Sequence, residues 1–469
     1  MRNRYRARLA GPLAALLMLG VVAVGAQAPK QGPARLALVG GMLLDGYEVP
    51  PLHHAAILIE GNKIVWVGRA ADARIPPDAT VVDTRGRVMM PGLVELHSHL
   101  MHIGHGLYPR WWAWVAERGV LERIMEISAK QFLMAGITSL VDLGGPLKES
   151  LRVRDRVARH EIPGPRLWMS GPWIRRTGGA GSQEPFTFAW KDPVRTPEQA
   201  AQYTEELAAA GVDVIKAHAG LTREDLRAIV TVARRHNLKV HAHVYDEPDV
   251  RNALETGVDV LTHVGSAGRT PPYSAELIRD IVNAGRPVVV TATHRSWIFP
   301  ATVDFPERLQ DPQLKADFAS VPGLWEEMQG SFTNWHTLPY FRTVDRERSL
   351  RERGLKQFIE AGAVMGIGVD GGTPLNFNTE SVWREITAHV EMGMAPEAAI
   401  SAATRIGARI LGRAQDLGTI EPGKLADVIV VRGNPLFNIT ALADVEVVVK
   451  DGVIFKGGPA NREGAPTAR

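Results

Sequence analysis

Between residues 91 and 415, short apolar segments alternate with longer segments in which apolar residues recur at helical spacing. The apolar segments have the length of strands, and amphipathic segments such as 222–236 and 248–256 follow them closely. This alternation predicts parallel βα units. We therefore expect an α/β fold, a (β/α)8 barrel of the TIM type. Its eight predicted strands are Gly92–His97, Thr138–Asp142, Arg166–Ser170, Val212–Lys216, Lys239–His243, Val260–His263, Pro287–Thr293 and Val364–Val369.

The two ends of the chain predict a second, smaller β domain. Residues 35–90 contain short strands separated by turns, and Gly61-Asn62 has the composition of a hairpin turn. Near the C-terminus, β-branched runs at 426–431 and 445–449 precede the turn Lys450-Asp451-Gly452. We expect residues 35–90 and 416–457 to pair into one composite β-sandwich beside the barrel domain of residues 91–415. A polar tail, 458–469, follows.

Residues 1–28 have the three parts of a secretory signal peptide. Four arginines at positions 2, 4, 6 and 8 precede an apolar stretch at 9–24, and Ala26-Gln27-Ala28 forms a cleavage site. We expect cleavage after Ala28, giving an exported, periplasmic or secreted protein with no stable membrane association. An uncleaved membrane anchor is the alternative.

The charge balance does not indicate a nucleic-acid partner. The chain has 54 basic and 51 acidic residues; loss of the four leader arginines leaves 50 against 51, a net charge of −1. There is no cysteine, so an exported form has no disulfides and depends on core burial. A chain of 469 residues with 45% hydrophobic composition can supply that core. The expected partner is a small-molecule substrate, and we expect a homo-oligomer.

Polar side chains end several of the predicted strands. In such barrels the reactive groups lie at the C-terminal ends of the strands, and alternate residues share a face, so His97 and His99 can point towards one ion. A chance His-x-His pair, and an Asp370 that only caps a helix, are the alternatives. His102, His105 and His218 lie near the same mouth but are more typical of solvated loops. The residues at the strand ends are His97, His99, Lys216, His243, His263 and Asp370.

These residues lie in segments that resemble the amidohydrolase superfamily, most closely its branch of imidazolonepropionase-like and Xaa-Pro dipeptidase-like enzymes. The resemblance covers nearly the whole mature chain, and five segments in the same order make it specific. The segments are Val88-Met-Met-Pro-Gly-Leu-Val-Glu-Leu-His-Ser-His99, Gly211-Val-Asp-Val-Ile-Lys216, His243 with 253–263, Gly368-Val-Asp370 and 420–427.

The resemblance implies two divalent metal ions, usually zinc. His97, His99 and Asp370 would hold one ion, and His243 and His263 the other. Lys216 would bridge them after its amine reacts with CO2 to become a carboxylated lysine. A single ion, with Lys216 as an ordinary buried amine, is the alternative. His241 is a second histidine on strand five, and the family register from residues 253–257 favours His243.

The implied chemistry is hydrolysis. A divalent ion lowers the pKa of bound water from about 16 towards 7 and polarises a carbonyl. Asp370 would accept a proton from the water and pass it to the departing amine.

The sequence says less about the substrate. Arg175 and Arg176 follow strand three and could clamp a carboxylate. Trp297 and His294 follow strand seven and are further candidate substrate contacts, in a long insertion rich in aromatic residues. At Ala180 the related dipeptidases tend to have a histidine, and this difference argues against a direct transfer of dipeptidase specificity.

Three functions therefore stay open. The first is hydrolysis of a C–N bond in a dipeptide, an N-acyl amino acid or a cyclic amide. The second is hydrolysis of a lactone, ester or phosphotriester, or deamination of a ring. Asp246 stands where the deaminases of this superfamily usually have a glutamate, and they lack the strand-four lysine. The third is a non-catalytic protein that retains only the fold, although such relatives typically lose ligands that this chain keeps.

Overall fold

The computed structural model describes residues 34–176, 192–265, 272–333, 335–337 and 344–458. The predicted signal peptide, residue Ala180 and residues 459–469 of the tail lie outside the described residues. Within the described ranges, no helix combines the length and the apolar character needed to cross a membrane.

Strands from both chain ends form two sheets around one apolar core. Side chains from both sheets fill that core, among them Leu38, Ile57, Met89 and Val430. β14 pairs antiparallel with β6, which joins the C-terminal segment to the N-terminal one. The first sheet has the order β4 (Lys63–Arg69), β3 (Ala55–Glu60), β1 (Arg35–Val39), β5 (Thr80–Asp83). The second has the order β16 (Val453–Lys456), β15 (Val445–Lys450), β14 (Val428–Arg432), β6 (Arg87–Pro91), β2 (Met42–Leu43).

The central part of the chain contains two further sheets, and all their strand pairs are parallel. One has the order β7 (Leu93–Ser98), β8 (Ile137–Asp142), β9 (Arg166–Met169). The other has the order β10 (Val214–Ala217), β11 (Lys239–His243), β12 (Val260–Thr262), β13 (Val288–Val289).

Isolated parallel bridges connect these two sheets. Ile174, just after β9, bridges to Ala217 of β10. Met365 bridges to Val288 of β13, and Gly371 bridges to Ser98 of β7. Segment 364–371, which contains the predicted eighth strand Val364–Val369, therefore lies between β13 and β7. The predicted parallel α/β organisation is observed, as two sheets linked by isolated bridges.

Helices follow most of these strands. α5, for example, begins with a capping box in which Thr222 Oγ1 accepts a hydrogen bond from the Asp225 backbone N–H and the Asp225 carboxylate accepts one from the Thr222 N–H. It buries Leu226, Ile229 and Ala233 on one face. The helices up to β13 are α1 (Tyr108–Arg118), α2 (Leu121–Met134), α3 (Leu147–Ala158), α4 (Pro197–Ala209), α5 (Arg223–Arg235), α6 (Glu247–Thr256) and α7 (Ala275–Asn283).

The long insertion after β13 is helical where it is described. Its helices are α8 (Thr293–Ser296), α9 (Ile298–Asp304), α10 (Pro312–Phe318), α11 (Leu324–Phe332) and α12 (Val344–Glu360). Three helices follow segment 364–371, namely α13 (Ser381–Glu391), α14 (Pro396–Ser401) and α15 (Gly407–Ile410).

Candidate metal centre

The C-terminal end of β7 meets segment 364–371 at Asp370. His99 Nε2 lies 3.0 Å from Asp370 Oδ1, and His97 Nε2 lies 3.7 Å from the same oxygen. The two histidines and the aspartate are buried. Two histidines of one segment thus converge on the carboxylate of another.

A glycine permits this convergence. A Cβ atom at Gly368 would lie 2.4 Å from Val289 Cγ1 and 2.9 Å from His97 Cβ. Any larger residue would push the segment away from both neighbouring strands. The backbone N–H of Asp370 donates to the carbonyl of His97 over 2.7 Å, which fixes the two residues relative to each other.

Lys216 of β10 reaches the same cluster from the other sheet. Its side chain is 1% exposed, and its Nζ lies 3.2 Å from His97 Nε2 and donates to Thr262 Oγ1 over 3.3 Å. Burial lowers the pKa of Lys216 to about 7. Near pH 7 a large fraction of this amine is therefore uncharged. Only an uncharged lysine amine can react with CO2.

Histidines from β11, β12 and the segment after β13 complete the cluster. The ring centroid of His263 lies 4.4 Å from that of His97 and 4.3 Å from that of His243. His263 Nδ1 lies 2.9 Å from Thr291 Oγ1. His294 Nδ1 lies 3.1 Å from Asp370 Oδ2, so both oxygens of that carboxylate face a histidine.

The donor set fits a divalent ion. Ligand atoms of His97, His99 and Asp370 lie within 4.8 Å of one another, as do those of His263, His294 and Asp370. Imidazoles with one carboxylate are the donors that zinc prefers. The Nδ1 atoms of His97 and His99 are buried and have no hydrogen-bond partner in the part of the chain that the structure describes. The first group matches the predicted set for one ion.

The second group differs from the predicted one, because it contains His294 in place of His243. His294 was predicted as a substrate contact. Nothing in the local sequence marks it as a partner of Asp370, since the contact depends on how the chain turns after β13. His243 stays next to His263, and its role as a ligand stays a prediction.

Several aromatic residues surround these groups. His218 stacks on Trp173 with centroids 4.3 Å apart, and its ring lies 4.4 Å from that of His243. Trp173 also lies 5.7 Å from His99 and donates from Nε1 to the carbonyl of Leu143. His218 is therefore part of the wall of the site, not a solvated loop histidine.

Three other histidines near the cluster, His102, His105 and His241, are not among the two donor groups. His102 is buried with its ring 6.0 Å from that of His99, and burial lowers its pKa to about 3. His105 contacts Glu327 of α11 at 3.1 Å. His241 pairs in register with Lys216, and burial lowers its pKa to about 3. The choice of His243 over His241 as the ligand of this strand stays a prediction.

The predicted substrate contacts differ in their surroundings. Arg176 pairs with the buried carboxylate of Asp225 and donates to the carbonyl of Arg195. Trp297 donates from Nε1 to Glu391 over 2.7 Å. By contrast, Nη1 of Arg175 is buried and has no hydrogen-bond partner among the described residues.

Comparisons with known proteins agree with this geometry. The amidohydrolase family matches residues 88–455. The chain is 25% identical over 477 residues to ochratoxinase of Aspergillus niger, covering 90% of this chain and 86% of that protein. It is 23% identical over 391 residues to imidazolonepropionase of Streptomyces griseus subsp. griseus, covering 81% and 86%.

A solved structure shows that the fold is shared. A Xaa-Pro dipeptidase with bound methionine superposes with a TM-score of 0.71 at 21% identity, covering 90% of this chain and 100% of that one. The predicted resemblance, and with it the prediction of an enzyme, is confirmed. The chain belongs to the amidohydrolase family of hydrolases.

Proposed function

We propose that this protein hydrolyses a C–N bond, an amide or a peptide, in a small substrate, with Asp370 as the proton carrier. The observation that carries the proposal is the position of the Asp370 carboxylate. It is buried, with one oxygen 3.0 Å from His99 and the other 3.1 Å from His294. A carboxylate fixed at both oxygens beside a metal-type donor set is suited to moving one proton between water and a leaving group.

The ionisation of Asp370 suits this role. Burial raises the pKa of its carboxyl, but the charge of His294 and the hydrogen bond from His99 lower it further, so the pKa lies well below its usual value. The carboxylate is ionised at neutral pH and can accept a proton.

His97, His99 and Asp370 would hold one divalent ion, which we propose to be zinc. When bound, such an ion polarises the substrate carbonyl and makes water more acidic. We propose that His243 and His263 face a second ion. The second donor group, which includes His294, supports a binuclear arrangement.

We propose that Lys216 is carboxylated. Its neutral amine would attack CO2, form the N–C bond of a carbamate and release one proton. The resulting anion carries two oxygens between His97 and Thr262, which Lys216 Nζ already contacts. The lowered pKa of about 7 supports this chemistry.

We also propose that the two parallel sheets belong to one closed (β/α)8 barrel, with 364–371 as the eighth strand. Its support is the set of bridges that link β9 to β10, β13 to Met365 and Gly371 to β7. A barrel would place every residue of the cluster at one mouth.

For the substrate, we propose a free carboxylate bound by Arg175. Burial, followed by the charges of Lys216, His99 and Arg175, lowers the pKa of His218. The guanidinium of Arg175 is thus within electrostatic reach of a ring that stacks on the wall of the site. Its unpartnered Nη1 supports a ligand with an oxygen anion. N-acyl amino acids and dipeptides carry that group.

Zinc-loaded protein should be assayed on N-acyl amino acids, Xaa-Pro dipeptides and the corresponding esters and lactones. Loss of general acid–base help should lower kcat of Asp370→Asn by ~10²–10⁴-fold on amides. Asp444→Asn, a change of an exposed aspartate in the β domain, is the matched control. Full activity in Asp370→Asn would contradict the proton-carrier role, and a clear preference for lactones would contradict the C–N assignment.

A further inference from the structure

Glu385 of α13 is a fully buried carboxylate that the mechanism above does not use. Its Oε1 accepts a hydrogen bond from the backbone N–H of Ala292 over 2.9 Å. Its Oε2 accepts one from the backbone N–H of Thr293 over 2.7 Å and another from the Thr293 hydroxyl. One side chain therefore satisfies three donors in two successive residues.

Those two residues come directly before His294. The chain reaches them through Thr291, which has a left-handed backbone with a φ of 55°. This is a rare conformation for a β-branched residue, and it persists only where surrounding contacts impose it. Glu385 supplies such contacts, because both N–H groups that follow Thr291 donate to it.

Glu95 makes a similar contact with the backbone next to Asp370. Its Oε1 accepts hydrogen bonds from the backbone N–H of His97 over 2.9 Å and from that of Val369 over 3.0 Å. Glu385 thus holds the backbone directly before His294, which contacts Asp370. Glu95 holds the backbone at His97, which also contacts Asp370, and at Val369, directly before Asp370 itself. The same kind of contact therefore occurs at two places in the backbone that leads to the site.

General stability alone is a weaker explanation for Glu385. A buried carboxylate is costly to desolvate, and apolar side chains of similar size often stabilise a core as well or better. Glu385 accepts hydrogen bonds from Thr293 and Ala292, which lie 92 and 93 residues earlier in the sequence. These two residues directly precede His294, which contacts Asp370.

We infer that Glu385 is a positioning residue, which holds residues 292–293 at the start of α8 so that His294 meets Asp370 Oδ2. The kinetic consequence of this inference rests on the proposed function. The structural part, that Glu385 holds residues 292–293, is independent of it. The test therefore has two arms, and only one of them needs a substrate.

The first arm measures backbone hydrogen exchange by mass spectrometry in Glu385→Gln. The glutamine amide nitrogen cannot accept a hydrogen bond, so the peptide that contains residues 292–294 should exchange about tenfold faster. Asp259→Asn is the matched control, because Asp259 accepts from the N–H of Val240 at the other end of the parallel strands. That variant should leave the 292–294 peptide unchanged. Unchanged exchange in Glu385→Gln would overturn the inference, whatever the activity.

The second arm measures kcat and KM on the amide substrate identified as above. Glu385→Gln should lower kcat by ~10–100-fold and change KM by less than about twofold, because a small misplacement of a reacting group acts on the chemical step. In a His294→Ala background the same change should cost less than about twofold, since coupled residues are not additive. An equal loss in both backgrounds would mean a merely structural role and overturn the inference.

The arms separate two failures. Faster exchange at 292–294 without turnover of any amide would contradict the proposed function and leave the positioning of His294 supported. Turnover of amides with wild-type kcat in Glu385→Gln would overturn the kinetic part of the inference and leave the proposed function supported.

Discussion

Replacing Arg175 by glutamine should weaken binding of acidic substrates specifically. Arg175 follows β9, and its Nη1 is buried without a hydrogen-bond partner among the described residues. Its replacement therefore breaks no hydrogen bond between that nitrogen and a described residue. The change should therefore cost little stability, within about 0.5 kcal/mol, and its effect should appear when a substrate carboxylate is present.

The size of the effect follows from the bond that would be lost. A hydrogen bond to a charged group contributes about 1.5–3 kcal/mol. Since each 1.36 kcal/mol is a factor of ten in rate or affinity, kcat/KM should fall by roughly 10- to 150-fold. Most of the loss should appear in KM, because a carboxylate distant from the reacting bond is bound equally in the ground state and the transition state.

The assay compares an N-acyl amino acid with its C-terminal amide. Wild-type protein should prefer the acid, and Arg175→Gln should abolish that preference while leaving the neutral amide unaffected. Arg176→Gln is the matched control, because Arg176 is already paired with Asp225; it should lower the melting temperature and leave the preference intact. An equal loss on the acid and the amide in Arg175→Gln would refute the carboxylate contact.

Three further predictions follow from the structure. Zinc reconstitution in bicarbonate should recover more activity as the pH rises through about 7, since protonated Lys216 cannot react with CO2; elemental analysis of Lys216→Ala should find fewer ions than in wild type. Gly144→Ala would place a Cβ 1.9 Å from Trp173 Nε1, so it should lower stability by about 1–3 kcal/mol in thermal unfolding. Mass spectrometry of exported protein should find an N-terminus directly after Ala28; an intact leader would favour the anchor.

Much of the site could be predicted because its residues lie at strand ends in order along the chain. His97 and His99 stand two residues apart on a strand, and that spacing is visible in the sequence. Their contacts with Asp370 required segment 364–371 to lie beside β7, which the predicted closed barrel implies. The resemblance to a known family supplied the rest of the set, including the choice of His243 over His241.

The contacts of His294 and Glu385 could not be predicted in the same way. The apolar run at 287–293 predicted one continuous strand, whereas the structure has strand only at Val288–Val289 and a helix from Thr293. The strand ends at Val289, and after the left-handed Thr291 the next two backbone N–H groups donate to Glu385 of α13. Local periodicity cannot report a hydrogen bond to a residue more than ninety positions away.

The backbone conformation at the strand ends also limits how well side-chain directions can be predicted by counting residues along a strand. In a regular strand successive side chains alternate faces, so a count from one inward residue assigns the others. His263, Thr291 and Asp370 all have left-handed backbones, with φ of 68°, 55° and 53°. A left-handed residue interrupts the alternation, so the sequence could name these residues but not their directions.

The three left-handed residues lie in the same part of the molecule. Left-handed backbone at a residue other than glycine costs on the order of 1–3 kcal/mol and persists only where other contacts impose it. At Asp370 those contacts are the N–H bond to His97 and two donations from Asn376 Nδ2, to the carbonyls of Val369 and Asp370. His263 and Thr291 are held by their mutual side-chain contact. Among the described residues, His263, Thr291 and Asp370 are three of the eight non-glycine residues with a positive φ. Because all three lie at or next to the contacts between the histidines and Asp370, their strain supports the view that this arrangement serves the chemistry of the site at some cost in stability.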